Sequence, residues 1–444
     1  MKTPIFDFAN EYAKGGAVRA HMPGHKGKGA LCEELDITEI VGADSLFEAD
    51  GIIKQSEENA SELFGAHTFY STEGSSLSIR AAVYLLSLYA KEKGRAPLIA
   101  AARNAHKAFL SAIALTDADT VWLAPKEDAS YLSCPVTAED IRAFLANAKE
   151  LPIAVYLTSP DYLGNVLDIA AIGEVCHSFG VLLCVDNAHG AYLKFLSPSR
   201  HPIDLGADIC LDSAHKTLPV LTGGAYLHIS KNAPSLFEKE AKDALCLFGS
   251  TSPSYLILQS LDRANAYLEA HRERLAEFTP LVEALRSALK ERGFTLIGDE
   301  PLKLTLAPRA FGYTGKEIAY ILERKNIVCE FSDSDYTVLM LTPENGVQAL
   351  KKIKKALLSI DRKEPVPNTQ PRFSLPERVM PIREAMLSPR ETVPLANSIG
   401  RVLASPSVSC PPAVPIAVSG ERIDENTARV MEYYGVTECL AVKL

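Results

Sequence analysis

A lysine and an aspartate, each placed directly after an apolar run, are the residues of this sequence best suited to chemistry. Lys216 stands in LDSAHKTLP, and Asp186 closes the run LLCVD thirty residues earlier. A lysine can form a Schiff base with a carbonyl cofactor, and a carboxylate can keep a pyridine ring protonated. The pair favours pyridoxal phosphate (PLP) chemistry. The alternatives are an ordinary surface lysine and an aspartate that caps a helix.

A Glu-Gly-Ser-Ser turn is a candidate site for the phosphate of such a cofactor. Glu73, Gly74, Ser75 and Ser76 stand directly before the helical pattern of residues 78–94. Free backbone N–H groups, hydroxyls and the positive end of the helix dipole suit a phosphate. Serines also cap helices without binding anything, which is the alternative at this turn.

Four further side chains could contact the cofactor. Ser213 and His215 flank the lysine motif and can hydrogen-bond a phosphate. His106 follows an apolar run in AARNAHKAF and could stack on the cofactor ring, although a lone histidine is more often a capping or core residue. His189 stands in NAHG, three residues after Asp186, and could reach the cofactor or the carboxylate of a substrate.

The composition predicts a cytoplasmic protein of two or three domains. The chain has 444 residues, of which 47% are hydrophobic, and its net charge of −9 disfavours nucleic acid or an acidic membrane as a partner. Its nine cysteines are scattered without a CxxC pair, which indicates reduced thiols and no metal site. We expect neither a secretion signal nor a membrane span, because no apolar stretch reaches 18 residues.

Strand and helix patterns alternate through the first half of the chain, which predicts a doubly wound α/β domain with a largely parallel sheet. A long helical region follows, and then strands and helices typical of a small α+β domain. A proline-rich linker precedes the last segment. The predicted domains are an N-terminal arm (1–30), a large cofactor-binding α/β domain (31–245), a small α+β domain (246–362), and a linker with a C-terminal domain (363–444).

Several of these motifs together resemble one family. HMPGHKGKG, TEGSS, ARNAHKAF, VDNAHGAY, DSAHKTLP and GSTSPSY occur in the order found in the Orn/Lys/Arg decarboxylases, and the C-terminal segment resembles that family's C-terminal domain. The resemblance implies a PLP-dependent transferase-like fold (fold type I, as in aspartate aminotransferase). It is greatest to the shorter members, which lack an N-terminal wing and include arginine decarboxylases, and it suggests a role in polyamine biosynthesis.

The resemblance also implies roles for individual residues. Lys216 would be the Schiff-base lysine, Asp186 the partner of the pyridine nitrogen, and His106 the stacking residue. Thr251 and Ser252 resemble a segment that reaches a phosphate across a dimer interface, which implies a homodimer or higher even oligomer. The phosphate ligands would be Gly74, Ser75, Ser76, Ser213 and His215, and the carboxylates for a basic substrate side chain would be Glu330, Asp333 and Glu421, each of which could instead be a solvated surface charge.

The sequence departs from the family pattern at five positions. Asn187 and Glu73 stand where Glu and Asn are common. Cys410, Ala413 and Ser419 stand where Tyr, Gly and Pro are familiar, in a segment expected to help form the substrate end of the pocket. The cofactor machinery is therefore expected to be intact, while the side chain of the substrate stays open.

Three functions compete at this level. The first is decarboxylation of arginine, or of lysine or ornithine, with Lys216 or His215 returning a proton to the product. The second is an aminotransferase or another PLP-dependent lyase on the same fold, against which the C-terminal segment and HMPGHKGKG argue. The third is a PLP-free, non-catalytic relative, which the presence of both Lys216 and Asp186 disfavours.

Overall fold

The computed structural model describes residues 1–126, 129–406 and 412–443. The chain divides into two compact units. The first comprises Met1–Pro97, Ile153–Val155 and Ile169–Arg274, and the second comprises the remaining residues. The domain boundaries expected at residues 30, 245 and 362 remain predictions.

Helices occur throughout the described residues. They are α1 (Pro4–Lys14), α2 (Ile52–Phe64), α3 (Gly74–Glu92), α4 (Lys107–Thr116), α5 (Ala138–Asn147), α6 (Ile169–Ser178), α7 (Ala214–Thr217), α8 (Ser235–Phe248), α9 (Tyr255–Leu268), α10 (His271–Arg292), α11 (Gly315–Glu323), α12 (Gly346–Leu358), α13 (Ile382–Leu387) and α14 (Glu425–Tyr433).

The strands form three sheets with the orders β1-β7-β6-β5-β4-β2-β3, β10-β11-β9-β8 and β12-β14-β13. Their bounds are β1 (His67–Ser71), β2 (Leu98–Ala102), β3 (Asp119–Leu123), β4 (Ala154–Thr158), β5 (Leu182–Asp186), β6 (Ile209–Asp212), β7 (Ala225–Ile229), β8 (Leu296–Ile297), β9 (Lys303–Leu306), β10 (Phe331–Ser332), β11 (Thr337–Met340), β12 (Arg390–Pro394), β13 (Leu403–Ser405) and β14 (Glu438–Val442).

In the first unit, β5 and β6 are parallel, with Cys184 opposite Ile209 and Asp186 opposite Leu211. Both strands are short apolar runs, and all four residues of β6 are buried. Strands covered on both faces need apolar side chains at successive positions, which explains why the runs do not alternate with polar residues. Because the strands are parallel, Asp186 and the loop after Asp212 lie at the same edge of the sheet.

Strand β1 brings a third segment to this edge. It is antiparallel to β7, and β7 is antiparallel to β6, so β1 and β6 run in the same direction. The turn from β1 into α3, at Gly74, therefore lies at the edge where β5 and β6 end. Three of the five residues of β1, HTFYS, are polar, which weakens its strand signal in the sequence.

The second unit contains the parallel pair β2 and β3, and the two smaller antiparallel sheets. Leu98 lies opposite Asp119 at the start of that parallel pair. Two of the unit's buried aliphatic residues, Leu403 and Ile423, belong to a core cluster that also contains Leu132 and Val338. This core supports the segments that carry Glu330, Asp333 and Glu421.

No helix among the described residues has the length and apolar character needed to cross a membrane. The eight cysteines within the described ranges are free thiols, and most of them are buried. The expectation of reduced core thiols stays a prediction.

Candidate functional site

Lys216 lies in the short helix α7, which begins directly after strand β6. Its Nζ atom is 3.2 Å from Nε2 of His189, and its side chain is partly buried. The His189 side chain is 5% exposed. The structure therefore brings together the predicted lysine and a predicted histidine that are separated by 27 residues in the sequence.

Asp186 is the last residue of β5 and is 2% exposed. Its Oδ1 accepts a hydrogen bond of 3.2 Å from the backbone N–H of Ala188. The aspartate therefore holds the start of the turn that carries His189. The helix-capping alternative does not describe this residue, because the turn after β5 leads into a short 3-10 segment, Ala191–Phe195, rather than an α-helix.

The predicted phosphate turn has the form expected of an anion site. Gly74 adopts φ +70°, in the left-handed region that glycine tolerates best, and its N–H donates to the carbonyl of Gly223 at 2.7 Å. The hydroxyl of Ser213 donates to that of Ser75 at 2.8 Å. The turn and the segment before Lys216 are thus joined by a direct hydrogen bond.

Helix α3 begins at this turn without a side-chain cap, because Glu73 makes no capping hydrogen bond to it. The carboxylate of Glu73 instead accepts the N–H of Ser250 at 2.7 Å. The first N–H groups of a helix need partners, and an anion can supply them. The arrangement can therefore hold a phosphate at residues 74–76.

His215 lies beside the same turn. Its Nδ1 is 2.9 Å from the carbonyl of Gly224, so Nδ1 donates and Nε2 carries no proton in the neutral ring. Burial lowers the pKa of His215, which favours this neutral form. A Cβ built at Gly74 would lie 3.9 Å from Cε1 of His215, which places the imidazole against the turn.

Thr251 and Ser252 are exposed and directly follow Ser250, whose backbone N–H donates to the carboxylate of Glu73. The backbone N–H of Ser252 donates to the hydroxyl of Ser250 at 3.1 Å. The segment is therefore anchored at one end and open to solvent at the two residues predicted to reach a second subunit.

In the second unit, His106 is the N-cap of α4, and its Nδ1 accepts the N–H of Ala108 at 3.1 Å. This is the capping arrangement that the sequence left open as the alternative. Capping uses one ring nitrogen, so it does not by itself exclude stacking. The stacking role stays a prediction.

Glu421 is not a solvated surface charge. Its carboxylate is 3.1 Å from Nη2 of Arg103, and both side chains are 1% exposed. The same carboxylate accepts the N–H of Val418 at 2.7 Å. Burial raises the pKa of Glu421, and the neighbouring Arg103 opposes that shift. Glu421 is thus already engaged in a buried ion pair.

Asp333 is 7% exposed, and its Oδ1 accepts the N–H groups of Asp335 and Tyr336 at 2.7 Å each. Its Oδ2 is buried and has no hydrogen-bond partner among the described residues. Burial, with a contribution from the charge of Asp335, raises the pKa of Asp333 to about 6. Glu330 differs, because it is exposed and accepts the hydroxyl of Tyr162 at 2.9 Å.

The altered C-terminal segment is partly described. Ala413 adopts φ +58°, a conformation that glycine tolerates better, which gives a physical reason for glycine at this position in the family pattern. The Ser419 side chain is 0% exposed. Its hydroxyl has no partner among the described residues. Cys410 lies outside the described residues.

Two family models match the chain. The model of the Orn/Lys/Arg decarboxylase major domain matches residues 3–298, and that of the Orn/Lys/Arg decarboxylase C-terminal domain matches residues 373–444. The chain belongs to the Orn/Lys/Arg decarboxylase family. The resemblance inferred from the sequence motifs is thereby confirmed.

Relatives of this decarboxylase family match over nearly the full length. An arginine decarboxylase of Bacillus subtilis is 30% identical over 460 residues, with 96% of this chain and 92% of the relative covered. An arginine decarboxylase of Halalkalibacterium halodurans is also 30% identical, with coverage of 97% and 93%. An uncharacterized Bacillus subtilis protein is 30% identical, with coverage of 97% and 93%.

Solved structures of the family share the fold. A lysine decarboxylase of Francisella novicida superposes with a TM-score of 0.80 at 18% identity, covering 99% of this chain and 79% of the other. Lysine decarboxylase A of Pseudomonas aeruginosa gives 0.79 at 20% identity, covering 97% and 75%. These likenesses confirm the predicted fold class, an α/β fold with a mainly parallel central sheet and a C-terminal domain.

Proposed function

We propose that this protein is a PLP-dependent decarboxylase of a basic amino acid, with arginine favoured over lysine and ornithine. The observation that carries the proposal is the contact of 3.2 Å between Nζ of Lys216 and Nε2 of His189, at the sheet edge where Asp186 ends β5. Two relatives named arginine decarboxylase, similar over more than 90% of both chains, support arginine as the first substrate to test.

The residues present fit PLP. Its phosphate suits the start of α3, which has no side-chain cap, and the turn at Gly74, which has a positive φ. The hydroxyls of Ser75 and Ser213 lie at the same turn. When bound, PLP supplies an electron-withdrawing ring that accepts the electron pair released as a bond to the substrate's α-carbon breaks. The buried carboxylate of Asp186 suits the task of holding a proton on a ring nitrogen.

The chain's own groups then account for the remaining tasks. Lys216 would hold the cofactor through Nζ. The group that returns a proton to the α-carbon would be Lys216, which contacts His189, or His215, once its Nε2 has first taken up a proton. His106 remains the proposed residue for the ring face.

The basic end of the substrate is assigned to Asp333 in the first place and to Glu330 in the second. Asp333 offers a buried carboxylate oxygen that has no hydrogen-bond partner within residues 1–126, 129–406 and 412–443, and a guanidinium or ammonium group would satisfy it. Glu421 is a weaker candidate because Arg103 already neutralises it. We further infer a homodimer in which the exposed Thr251 and Ser252 face the second subunit.

The proposal is tested by measuring CO2 release with PLP from arginine, lysine, ornithine and a neutral amino acid. Arginine should give the highest kcat/KM, and Lys216→Ala should abolish release from every substrate. Lys194→Ala, which removes a lysine that pairs with Asp204 in the same unit, is the matched control and should keep the activity. Absence of CO2 from all three basic amino acids would refute the proposal.

A further inference from the structure

A buried carboxylate, that of Asp212, stands four residues before Lys216 and receives N–H hydrogen bonds from three side chains. Oδ2 of Asp212 is 3.0 Å from Nε2 of His201 and 3.1 Å from Nε2 of His228. Oδ1 accepts the amide Nδ2 of Asn187 at 2.6 Å. The side chains of all four residues are 0% exposed.

The carboxylate of Asp212 is ionised. Burial by itself would raise the pKa of Asp212, but the two imidazoles hold it well below the usual value, so the carboxylate is ionised. Burial lowers the pKa of His228, whose Nδ1 lies 2.9 Å from the hydroxyl of Thr68. Both imidazoles therefore donate through Nε2 to an ionised carboxylate.

A metal ion is a poorer explanation of the same residues. Cys210 offers a sulfur within 4.8 Å of ligand atoms of His201 and Asp212. Burial raises the pKa of the Cys210 thiol, and the charge of Asp212 adds to this, which opposes the thiolate that a metal needs. The oxygens of Asp212 are also occupied by N–H donors.

The bond between Asp212 and Asn187 joins the two segments that carry the proposed catalytic groups. Asn187 directly follows Asp186, and its backbone N–H donates to the carbonyl of Leu211 at 2.9 Å. Asp212 directly precedes the loop with Ser213, whose hydroxyl bonds the phosphate turn. One hydrogen bond of 2.6 Å therefore links the chain after Asp186 to the chain before Lys216.

The pair requires one acid and one amide. Oδ1 of Asn187 is buried and has no partner among the described residues, and a Cβ built at Gly190 would lie 2.0 Å from it. Within the described part of the chain, Asp212 is therefore the one side chain that hydrogen-bonds the Asn187 side chain. Two carboxylates would repel each other here, and two amides would leave the histidines without an ionised acceptor.

We propose that Asn187 and Asp212 form an acid–amide pair that positions Asp186 relative to Lys216 and so sets the affinity for PLP. The inference rests on the proposed function, because it takes Asp186 and Lys216 as the residues that hold the cofactor. Both members of the pair are positioning residues, since the side chain of Asn187 contacts Asp212, and that of Asp212 contacts Asn187 and the two histidines.

The experiment compares Asn187→Asp, Asp212→Asn and the double variant that exchanges the two residues. The matched control is Asp208→Asn, because Asp208 is 7% exposed, precedes the same strand β6 at its other end and accepts His177 Nε2 at 2.9 Å. For each protein, the PLP dissociation constant, the absorption spectrum with PLP bound and the melting midpoint are measured.

Each single variant should raise the PLP dissociation constant about tenfold and shift the absorption band, and the exchange should restore affinity to within about threefold of the natural chain. The control Asp208→Asn should have a lower melting midpoint than the natural chain, with a PLP affinity within about twofold of it. If a single variant fails to fold, recovery of both folding and PLP affinity by the exchange still supports the coupling.

Two results would overturn the inference. One is an exchange variant whose loss of PLP-binding free energy equals the sum of the losses in the two single variants. The other is a control that loses as much PLP affinity as Asp212→Asn, which would show a structural effect only. If the natural chain binds no PLP, the proposed function fails along with the inference, whereas PLP binding without this pattern refutes the inference alone.

Discussion

Nζ of Lys216 and Nε2 of His189 lie 3.2 Å apart, with His189 nearly buried. At this distance one nitrogen donates a proton to the other, so the two groups can share or exchange it. An acid–base pair with one partly buried lysine is the arrangement expected where an amine must both bind a carbonyl group and transfer a proton.

Replacing His189 with glutamine should lower kcat about 100-fold, because the amide can hydrogen-bond Lys216 but cannot exchange a proton. The kcat for the best substrate and the amount of PLP bound are measured together. PLP content should stay near that of the natural chain. His177→Gln, which alters a half-exposed histidine of the same unit, serves as the control. An unchanged kcat in His189→Gln would contradict the role.

Gly74→Ala should weaken PLP binding about tenfold, because the methyl group would narrow the turn whose N–H groups suit the phosphate. Gly94→Ala is a matched control at the other end of α3. The two glycines have φ +70° and +65°, so each substitution should destabilise the fold by about 1 kcal/mol. Melting midpoints measure the loss of fold stability, and PLP titrations measure the loss of PLP affinity. Equal loss of PLP affinity in both variants would exclude a specific role for Gly74.

Glu421→Gln should destabilise the protein by about 3–5 kcal/mol, because it leaves Arg103 charged and buried without a counter-charge. The double variant Arg103→Met with Glu421→Leu should recover much of that loss. The midpoints of thermal unfolding of the single and the double variant measure the loss and its recovery. A Glu421→Gln midpoint equal to that of the natural chain would mean that the ion pair contributes little.

The pKa of Asp333 predicts a pH dependence of stability. Its folded-state pKa of about 6 lies above the usual 3.8, so the folded chain binds this proton more tightly than the unfolded chain. Stability from this group is therefore complete below pH 3.8 and is lost as the pH rises towards 6, by up to about 3 kcal/mol. Asp333→Asn removes the ionisable group and should flatten this part of the profile.

Unfolding by urea at pH 4, 5, 6 and 7 measures the difference between the natural chain and Asp333→Asn. The stability of the variant relative to the natural chain should increase steadily across that range. A constant difference would contradict a raised pKa at Asp333. If Asp333 also binds the substrate, the variant should show a larger effect on KM for arginine than on kcat.

The sequence predicted most strands of the main sheet because each one is a short, continuous apolar run. Lys216 and Asp186 stood out because they directly follow such runs, and their placement at one sheet edge follows from the parallel register of β5 and β6. The turn at Gly74 was predicted because it directly precedes a clear helical pattern, that of α3. Strand β1 was not, because its pairing with β7 depends on residues 160 positions away.

Contacts that form only after folding could not be predicted. His201 and His228 stand 11 residues before and 16 after Asp212, and no motif indicates that they meet at its carboxylate. The available signal was a histidine within the apolar strand AYLHI of β7, which a buried partner explains. Arg103 directly follows the apolar run LIAAA of β2. A charged residue in such a buried position needs a counter-charge, which Glu421 provides.

The most direct test of the account is to locate the residue that carries PLP. The protein is incubated with PLP, reduced with borohydride, digested and mapped by mass spectrometry. If Lys216 is the Schiff-base lysine, a single modified site is expected at Lys216, and the corresponding peptide of Lys216→Ala should be unmodified. Cofactor attached to a different lysine, or CO2 release by a protein unmodified at Lys216, would contradict it.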